Sequence, residues 1–118
     1  MKEKSFEHKI KLYLENSGAW FVKYFANRNT RIGIPDILSC VEGYFLAIEV
    51  KAENGRPSHL QKYNVHRIQK AGGFAVILYP KNWNLFVELI KALKTGNLEQ
   101  AFTLEDDINA ELLQSLAN

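Results

Sequence analysis

The chain has 118 residues, 47% hydrophobic and 24% charged, a balance that suits one packed core and excludes collagen-like, low-complexity and disordered classes. No run of about eighteen apolar residues occurs, and the charged start MKEKSFEHKIK lacks a signal peptide's apolar centre, so a cytoplasmic protein without a membrane segment is expected. The net charge of +2 conceals an asymmetry: residues 1–96 hold fifteen bases and eight acids, net +7, whereas residues 97–118 hold five acids and no base, net −5. A basic body favours a polyanionic partner, and nucleic acid is the leading candidate.

In chain order, residues 4–16 place Phe6, Ile10, Tyr13 and Leu14 at helical spacing, and Gly18 follows as a stop. Residues 19–25 (AWFVKYF) are aromatic and β-favouring and predict a first strand. Residues 27–33 (NRNTRIG) read as a polar, basic loop bearing Arg28 and Arg31. Two further strands are expected in IPDILSCVEGYFLAIEVK, residues 34–51, with a turn at Gly43. Cys40, the single cysteine, has no internal disulfide partner, and its apolar strand predicts a buried, inert thiol.

After a loop at residues 53–57, Ser58 with Gln61 three positions on forms a capping-box pattern for a helix to about residue 71. Gly72 and Gly73 end it, FAVILY (residues 74–79) reads as a strand buried on both faces, and residues 83–94 return to helical periodicity through Phe86, Leu89, Ile90 and Leu93. In the tail, Thr103 is the expected N-cap of a last helix with Leu104, Ile108, Leu112 and Leu116 on one stripe. That stripe would cover the body's own core or a second subunit.

The charges inside the hairpin are the informative anomaly. Alternation puts Glu49 and Lys51 on one side of their strand. With Glu42 and Gly43 as the two central turn residues, Asp36 stands directly opposite Glu49; a three-residue loop with a bulge would shift the register by one and reverse Asp36. In the first register the two carboxylates lie about 5 Å apart, a repulsion of roughly 3 kcal/mol at an effective dielectric of 20. A divalent cation held by hard oxygens removes that repulsion, with Mg²⁺ the default and Mn²⁺ a substitute. The plainer alternative is a surface Glu49–Lys51 pair with Asp36 as a turn residue after Pro35.

Pro35-Asp36 followed by Glu49-Val50-Lys51 resembles the PD-(D/E)xK nuclease superfamily. Gly33-Ile34-Pro35-Asp36, Ala47-Ile48-Glu49-Val50-Lys51, the Gly55-Arg56-Pro57-Ser58 loop, Gln61 and Ala71-Gly72-Gly73 together resemble its virus-type replication-repair nuclease (VRR-NUC) branch over roughly residues 5–80. The resemblance implies an α/β, restriction-endonuclease-like core with a mixed central sheet flanked by helices, in residues 1–96, and leaves residues 97–118 as an acidic helical tail. It implies Asp36, Glu49 and the main-chain carbonyl of Val50 as metal ligands, with Lys51 beside the attacking water. Glu7 and Gln61 fall at positions where such nucleases carry further site residues, although a solvated helix position and the Ser58 cap account for them equally well.

Arg28, Arg31, Arg56 and Lys62 lie where they would contact DNA phosphates. His59, Lys62, His66 and Lys70 recur on one helix face, which is the pattern of a solvated surface as well as of a phosphate-binding one; the histidines lack the spacing of a metal site. The expected protein is thus a Mg²⁺-dependent DNA endonuclease of phage or mobile-element kind, a homodimer acting on branched DNA such as a Holliday junction. The alternative is a non-catalytic DNA-binding module on the same fold, against which the intact Asp36, Glu49 and Lys51 set argues.

Overall fold

The computed structural model describes residues 2–110, in which a four-stranded sheet is flanked by helices on both faces. The first helix, α1 (Glu3–Asn16), buries Phe6, Ile10 and Leu14, one residue per turn. It ends where the Ser17 hydroxyl donates to the Tyr13 carbonyl at 2.7 Å. The strands β1 (Trp20–Lys23), β2 (Ile37–Val41) and β3 (Tyr44–Val50) form an antiparallel meander. A crossover through α2 (His59–Lys70) then adds β4 (Phe74–Leu78) parallel to β3, giving the mixed sheet order β1-β2-β3-β4. A short 3-10 turn at Pro80–Asn82 leads into α3 (Trp83–Thr95) and α4 (Leu98–Ile108).

The hairpin takes the register with two central turn residues: Val41 pairs with Tyr44 and Ile37 with Ile48. Glu42 has φ 50° and Gly43 φ 89°, the backbone of a turn whose twist matches that of its strands. Continuing the register by one pair sets Asp36 across from Glu49. At the other end of α2, Ser58 and Gln61 form both halves of the capping box, with Gln61 N–H to Ser58 Oγ at 3.1 Å and Ser58 N–H to Gln61 Oε1 at 2.9 Å.

One sheet face, carrying Ile37, Leu46, Ile48, Val50, Val76 and Leu78, packs against α1, α3 and α4 in a single apolar cluster. The other carries Ala47, Ala75 and Ile77 under Val65 and Ile68 of α2. That second layer covers β3 and β4 and reaches β2 only at the partly buried Leu38. Trp20, Cys40 and Phe45 are cross-strand neighbours on its uncovered part and are all exposed. Cys40 is therefore a surface thiol rather than the buried one expected, because no helix lies over that part of the face.

The last helix also begins earlier than its sequence suggests. Gly96, at φ 71°, terminates α3, and Asn97 caps α4 by accepting from Gln100 N–H at 3.2 Å. Thr103 is consequently mid-helix, its hydroxyl bonded back to the Glu99 carbonyl at 3.2 Å. Leu104 and Ile108 join the main core, while Leu112 and Leu116 fall outside the described residues. Among the described residues no helix is long and apolar enough to cross a membrane.

Side chains of α4 also complete the open edge of β4. Glu105 Oε2 accepts from Ala75 N–H at 2.8 Å, Asn109 Oδ1 accepts from Ile77 N–H at 2.9 Å, and Asn109 Nδ2 donates to the Ala75 carbonyl at 2.9 Å. The Asn109 amide thus supplies the donor and acceptor that a fifth strand would offer, all of it buried. Asn109→Leu, which strands the buried Ile77 N–H while the Ala75 carbonyl keeps its bond from Gln69 Nε2 at 3.2 Å, is expected to cost about 1–3 kcal/mol in urea unfolding. A loss below about 0.5 kcal/mol would show that water replaces the amide at this edge.

Candidate active site

The adjoining ends of β2 and β3 bring the motif residues together. Pro35 is buried and restricts the backbone just before Asp36. The Asp36 carbonyl accepts from Tyr24 N–H at 2.8 Å, extending the β1–β2 ladder, and its Oδ2 accepts from Val50 N–H at 2.8 Å. The Asp36 carboxylate is thereby pinned to the strand that carries Glu49 and Lys51. Behind it, Gly33 has φ +80° and lies so close to α2 that an added Cβ would come within 2.6 Å of Leu60 Cβ. Asn64 Nδ2 ties the Gly33 carbonyl to that helix at 3.1 Å.

Glu49 is only 2% exposed. Its Oε2 lies 3.4 Å from Lys51 Nζ, whereas Oε1 is buried with no hydrogen-bond partner, the one such side-chain atom among the described residues. Burial, reinforced by the negative charge of Asp36 and opposed by Lys51, pushes the Glu49 carboxyl up to about 8. A buried carboxyl with one orphan oxygen and a second carboxylate for a neighbour is costly as it stands, and it is the arrangement that an oxygen-seeking cation relieves. Asp36 and Glu49 thus fit a hard divalent cation of few protein ligands that keeps much of its water. No cluster of three or more Asp, Glu, His or Cys side chains occurs among the described residues, so any remaining ligands would be main-chain oxygen, such as the Val50 carbonyl, and water.

A fourth group, not singled out in the sequence, joins this set. Lys23 of β1 donates to Glu7 Oε1 of α1 and lies 3.5 Å from Asp36 Oδ1. Lys11, one turn along α1, adds a contact to Glu7 Oε2 at 3.4 Å. Burial would raise the Glu7 carboxyl, but Lys23 and Lys11 outweigh it and hold it below the usual range. Burial likewise works against the Lys23 ammonium, and Glu7 and Asp36 outweigh it and raise its pKa. The sequence did carry a signal: Phe21 and Lys23 share a strand face, and Phe21 packs on the core, so Lys23 is a charge directed toward the core side and requires a counter-charge.

The outer positions are arranged differently. Gln61 spends its carbonyl oxygen on the Ser58 cap, and no bond from it to Asp36, Glu49 or Lys51 is seen. Arg28 and Arg31 are exposed on the loop between β1 and β2, which is held by Tyr24 Oη donating to the Arg31 carbonyl at 2.7 Å. Arg56 and Lys62 line a cleft of about 810 Å³ together with Tyr79, Lys81 and the end of α4. Its wall is fixed by Tyr79 Oη donating to the Gly55 carbonyl at 2.8 Å. This loop borders the motif, since a Cβ on Gly55 would meet Lys51 Cδ at 3.3 Å. His59, His66 and Lys70 are exposed on α2.

With this geometry in view, the comparison with known families is decisive: the family model for archaeal Holliday junction resolvases (Hjc) matches residues 1–115. The chain belongs to that family. Hjc proteins fall within the PD-(D/E)xK nuclease superfamily, and the mixed sheet flanked by helices is the restriction-endonuclease-like fold of Hjc. Membership makes the chain a nuclease acting on DNA. The match is to the Hjc model and runs through the tail to residue 115, well beyond the stretch of residues 5–80 that the motifs span. No curated protein and no solved structure gives a match.

The raised Glu49 carboxyl has a definite consequence for stability. Between 4.5 and about 8 the folded protein binds more proton at this group than the unfolded chain does, so its contribution is full below 4.5 and is lost as pH rises through about 8. Urea melts in EDTA should therefore show stability falling across this window, and Glu49→Gln should flatten the slope. An unchanged slope in Glu49→Gln would assign the pH dependence elsewhere.

Proposed function

We propose that this Hjc-family chain is a Mg²⁺-dependent endonuclease that cuts branched DNA at junctions, with Asp36, Glu49 and Lys51 at its centre. The observation that carries the reading is the buried, unpartnered Glu49 Oε1 beside Asp36 and within the same cluster as the Lys51 ammonium. In this reading Asp36, Glu49 and the Val50 carbonyl hold Mg²⁺, with Mn²⁺ able to replace it. The bound ion supplies Lewis acidity toward the scissile phosphate and lowers the pKa of a coordinated water.

The chain's own groups do the rest. Glu7, Asp36 and Glu49 when ionised carry three negative charges and Lys11, Lys23 and Lys51 three positive ones, so the connected set is neutral and would become net +2 with a divalent ion. That sign suits a phosphodiester. Lys51, fixed against Glu49, orients the attacking water and faces the charge that develops on phosphorus-bound oxygen. Water in-line with the leaving oxygen then opens the ester, and the basic loops carrying Arg28, Arg31 and Arg56, with Lys62, hold neighbouring phosphates. Gln61 serves this site through the α2 cap that supports the 53–57 loop. The VRR-NUC likeness of the motif block is, in this reading, kinship within one superfamily.

Resolving a four-way junction takes two cuts, and each chain has one such motif. A two-fold homodimer supplies the pair. The surface we assign to the second copy is the uncovered sheet face, where Trp20 is 65%, Phe45 44% and Val22 40% exposed. Light scattering should give twice the chain mass, and Trp20→Glu with Phe45→Glu should halve it; a monomeric parent protein would remove this part of the proposal.

The catalytic part is tested by incubating the purified protein with four-way, flapped and linear DNA in Mg²⁺, Mn²⁺ or EDTA. Cleavage is expected on the branched substrates with either metal, lost in EDTA and reduced at least about 10²-fold in Glu49→Ala and Lys51→Ala, the scale of removing a charge-stabilising group. Persistent cleavage in EDTA would overturn the metal chemistry. Tight junction binding without cleavage under either metal would instead establish a non-catalytic binding module.

A further inference from the structure

We propose that Phe25 is a branch-recognition residue: its ring stacks on a base that has lost a neighbour at a DNA branch point, and so favours junctions over continuous duplex. The inference rests on the reading above that the chain cuts branched DNA, and it names the feature of that substrate which the loop between β1 and β2 meets.

Phe25 is 75% exposed, the most exposed of the large hydrophobic side chains among the described residues, and Ile32 at the other end of the same loop is 61% exposed. Neither belongs to the apolar clusters on the two sheet faces. Between them stand Arg28 and Arg31, both exposed. Apolar side chains at the two ends of a basic loop suit a ligand with an anionic backbone and flat apolar faces, which is the chemistry of a nucleic acid strand.

The loop is shaped before any partner arrives. Asn27 Oδ1 accepts from Asn29 N–H at 2.7 Å, Thr30 Oγ1 accepts from Asn27 N–H at 2.8 Å, and the Asn27 carbonyl accepts from Thr30 N–H at 3.1 Å. At its base the Tyr24 hydroxyl donates to the Arg31 carbonyl at 2.7 Å, and these two are the residues directly before Phe25 and Ile32. Both apolar side chains therefore spring from tied backbone, which lowers the cost of ordering them on binding.

Phe25 also stands close to the motif. Tyr24 N–H donates to the Asp36 carbonyl at 2.8 Å, so Phe25 leaves the sheet one residue beyond the pair that carries Asp36. Lys23 Nζ lies 3.5 Å from Asp36 Oδ1 and 5.8 Å from the centre of the Phe25 ring; the ring centre and Oδ1 are thus no further apart than the sum of these, 9.3 Å. At about 3.4 Å per nucleotide along a strand, the ring reaches a base within about three steps of a phosphate at Asp36. Entering a continuous duplex there would require separating stacked pairs, whereas a base at a branch has already lost a neighbour. Stacking reads no base edge, so the resulting preference is for shape and not for sequence.

The test measures the affinity of the parent protein, Phe25→Ala, Phe25→Trp and Arg28→Ala for a four-way junction and for a linear duplex of the same composition, by fluorescence anisotropy in EDTA. Phe25→Ala should lower the ratio of junction to duplex affinity at least about fivefold, the lower end for loss of one aromatic stack on a base. Phe25→Trp should keep or raise that ratio. Arg28→Ala, which removes a contact to phosphates that both substrates offer, should weaken both alike. With 5-iodouracil at the branch point, ultraviolet light should join the DNA to Phe25, read by peptide mass spectrometry; the same base in mid-arm should not cross-link there.

A ratio in Phe25→Ala equal to the parent's overturns the proposal. A light-scattering mass that halves in Phe25→Ala would make the ring a contact between copies and overturn it too. Should Phe25→Ala fail to fold, the cross-link on the parent protein decides: attachment of the branch-point base only to other residues overturns the proposal. A parent protein that binds the junction no better than the duplex removes the branched-DNA reading itself, and is told apart by appearing before any substitution is made.

Discussion

Two residues at positive φ, Glu42 and Gly43, set the register of the β2–β3 hairpin, and nearly everything of chemical interest in the molecule follows from that register. It sends Ile37, Leu46 and Ile48 into the main core, and by the same alternation places Asp36 against the strand end that holds Glu49, Val50 and Lys51. A slip of one residue would turn every hairpin side chain to the opposite face. The core and the site are thus specified by one choice, and the apolar residues that drive folding also enforce the meeting of two acids. A non-glycine residue at φ 50° costs on the order of 1 kcal/mol, small beside the burial it secures.

The electrostatics of the site follow from where this hairpin ends. Glu49 is buried within β3, paired with Ile77 of β4, so burial and the neighbouring Asp36 both disfavour its charge, and Lys51 compensates only in part. Glu7 and Lys23, nearer the α1 margin, stay charged because each has an opposite partner strong enough to outweigh its burial. The result is a graded set in which the most buried acid is the one held least comfortably. Strained and perturbed groups of this sort cluster at functional sites, and this set lies in a chain of the junction-resolvase family.

Away from the site, α4 shows a different solution to the problem of a sheet end. An exposed β4 would offer a row of free donors and acceptors for pairing with another chain. Glu105 and Asn109 occupy that row from the side, and Leu104 and Ile108 bring α4 into the core that α1 and α3 share. Acidic residues that look like a charged appendage in the sequence therefore divide by position. Asp106 and Asp107 are exposed, while Glu105 is 4% exposed and bonded to backbone.

Local pattern was sufficient to read the element order, the capping box at Ser58 and Gln61, and the Asp36, Glu49, Lys51 motif, because periodicity, caps and short-range spacing are written in neighbouring residues. It was not sufficient for contacts that join distant segments. The burial of Cys40 was misread because alternation says which face a residue takes but not whether a helix lies over it. Thr103 was misread as a cap because Gly96 and Asn97 restart the helix six residues earlier, and nothing local ranks one cap above the other. Lys23 was passed over because its partners come from α1 and from the start of β2, 16 and 13 residues away. By itself the sequence determined which residues would be apolar, which would turn the chain and which acids and bases were available; only the tertiary structure decided which of those charges would be buried together, since burial and proximity are properties of packing between segments and not of any one of them.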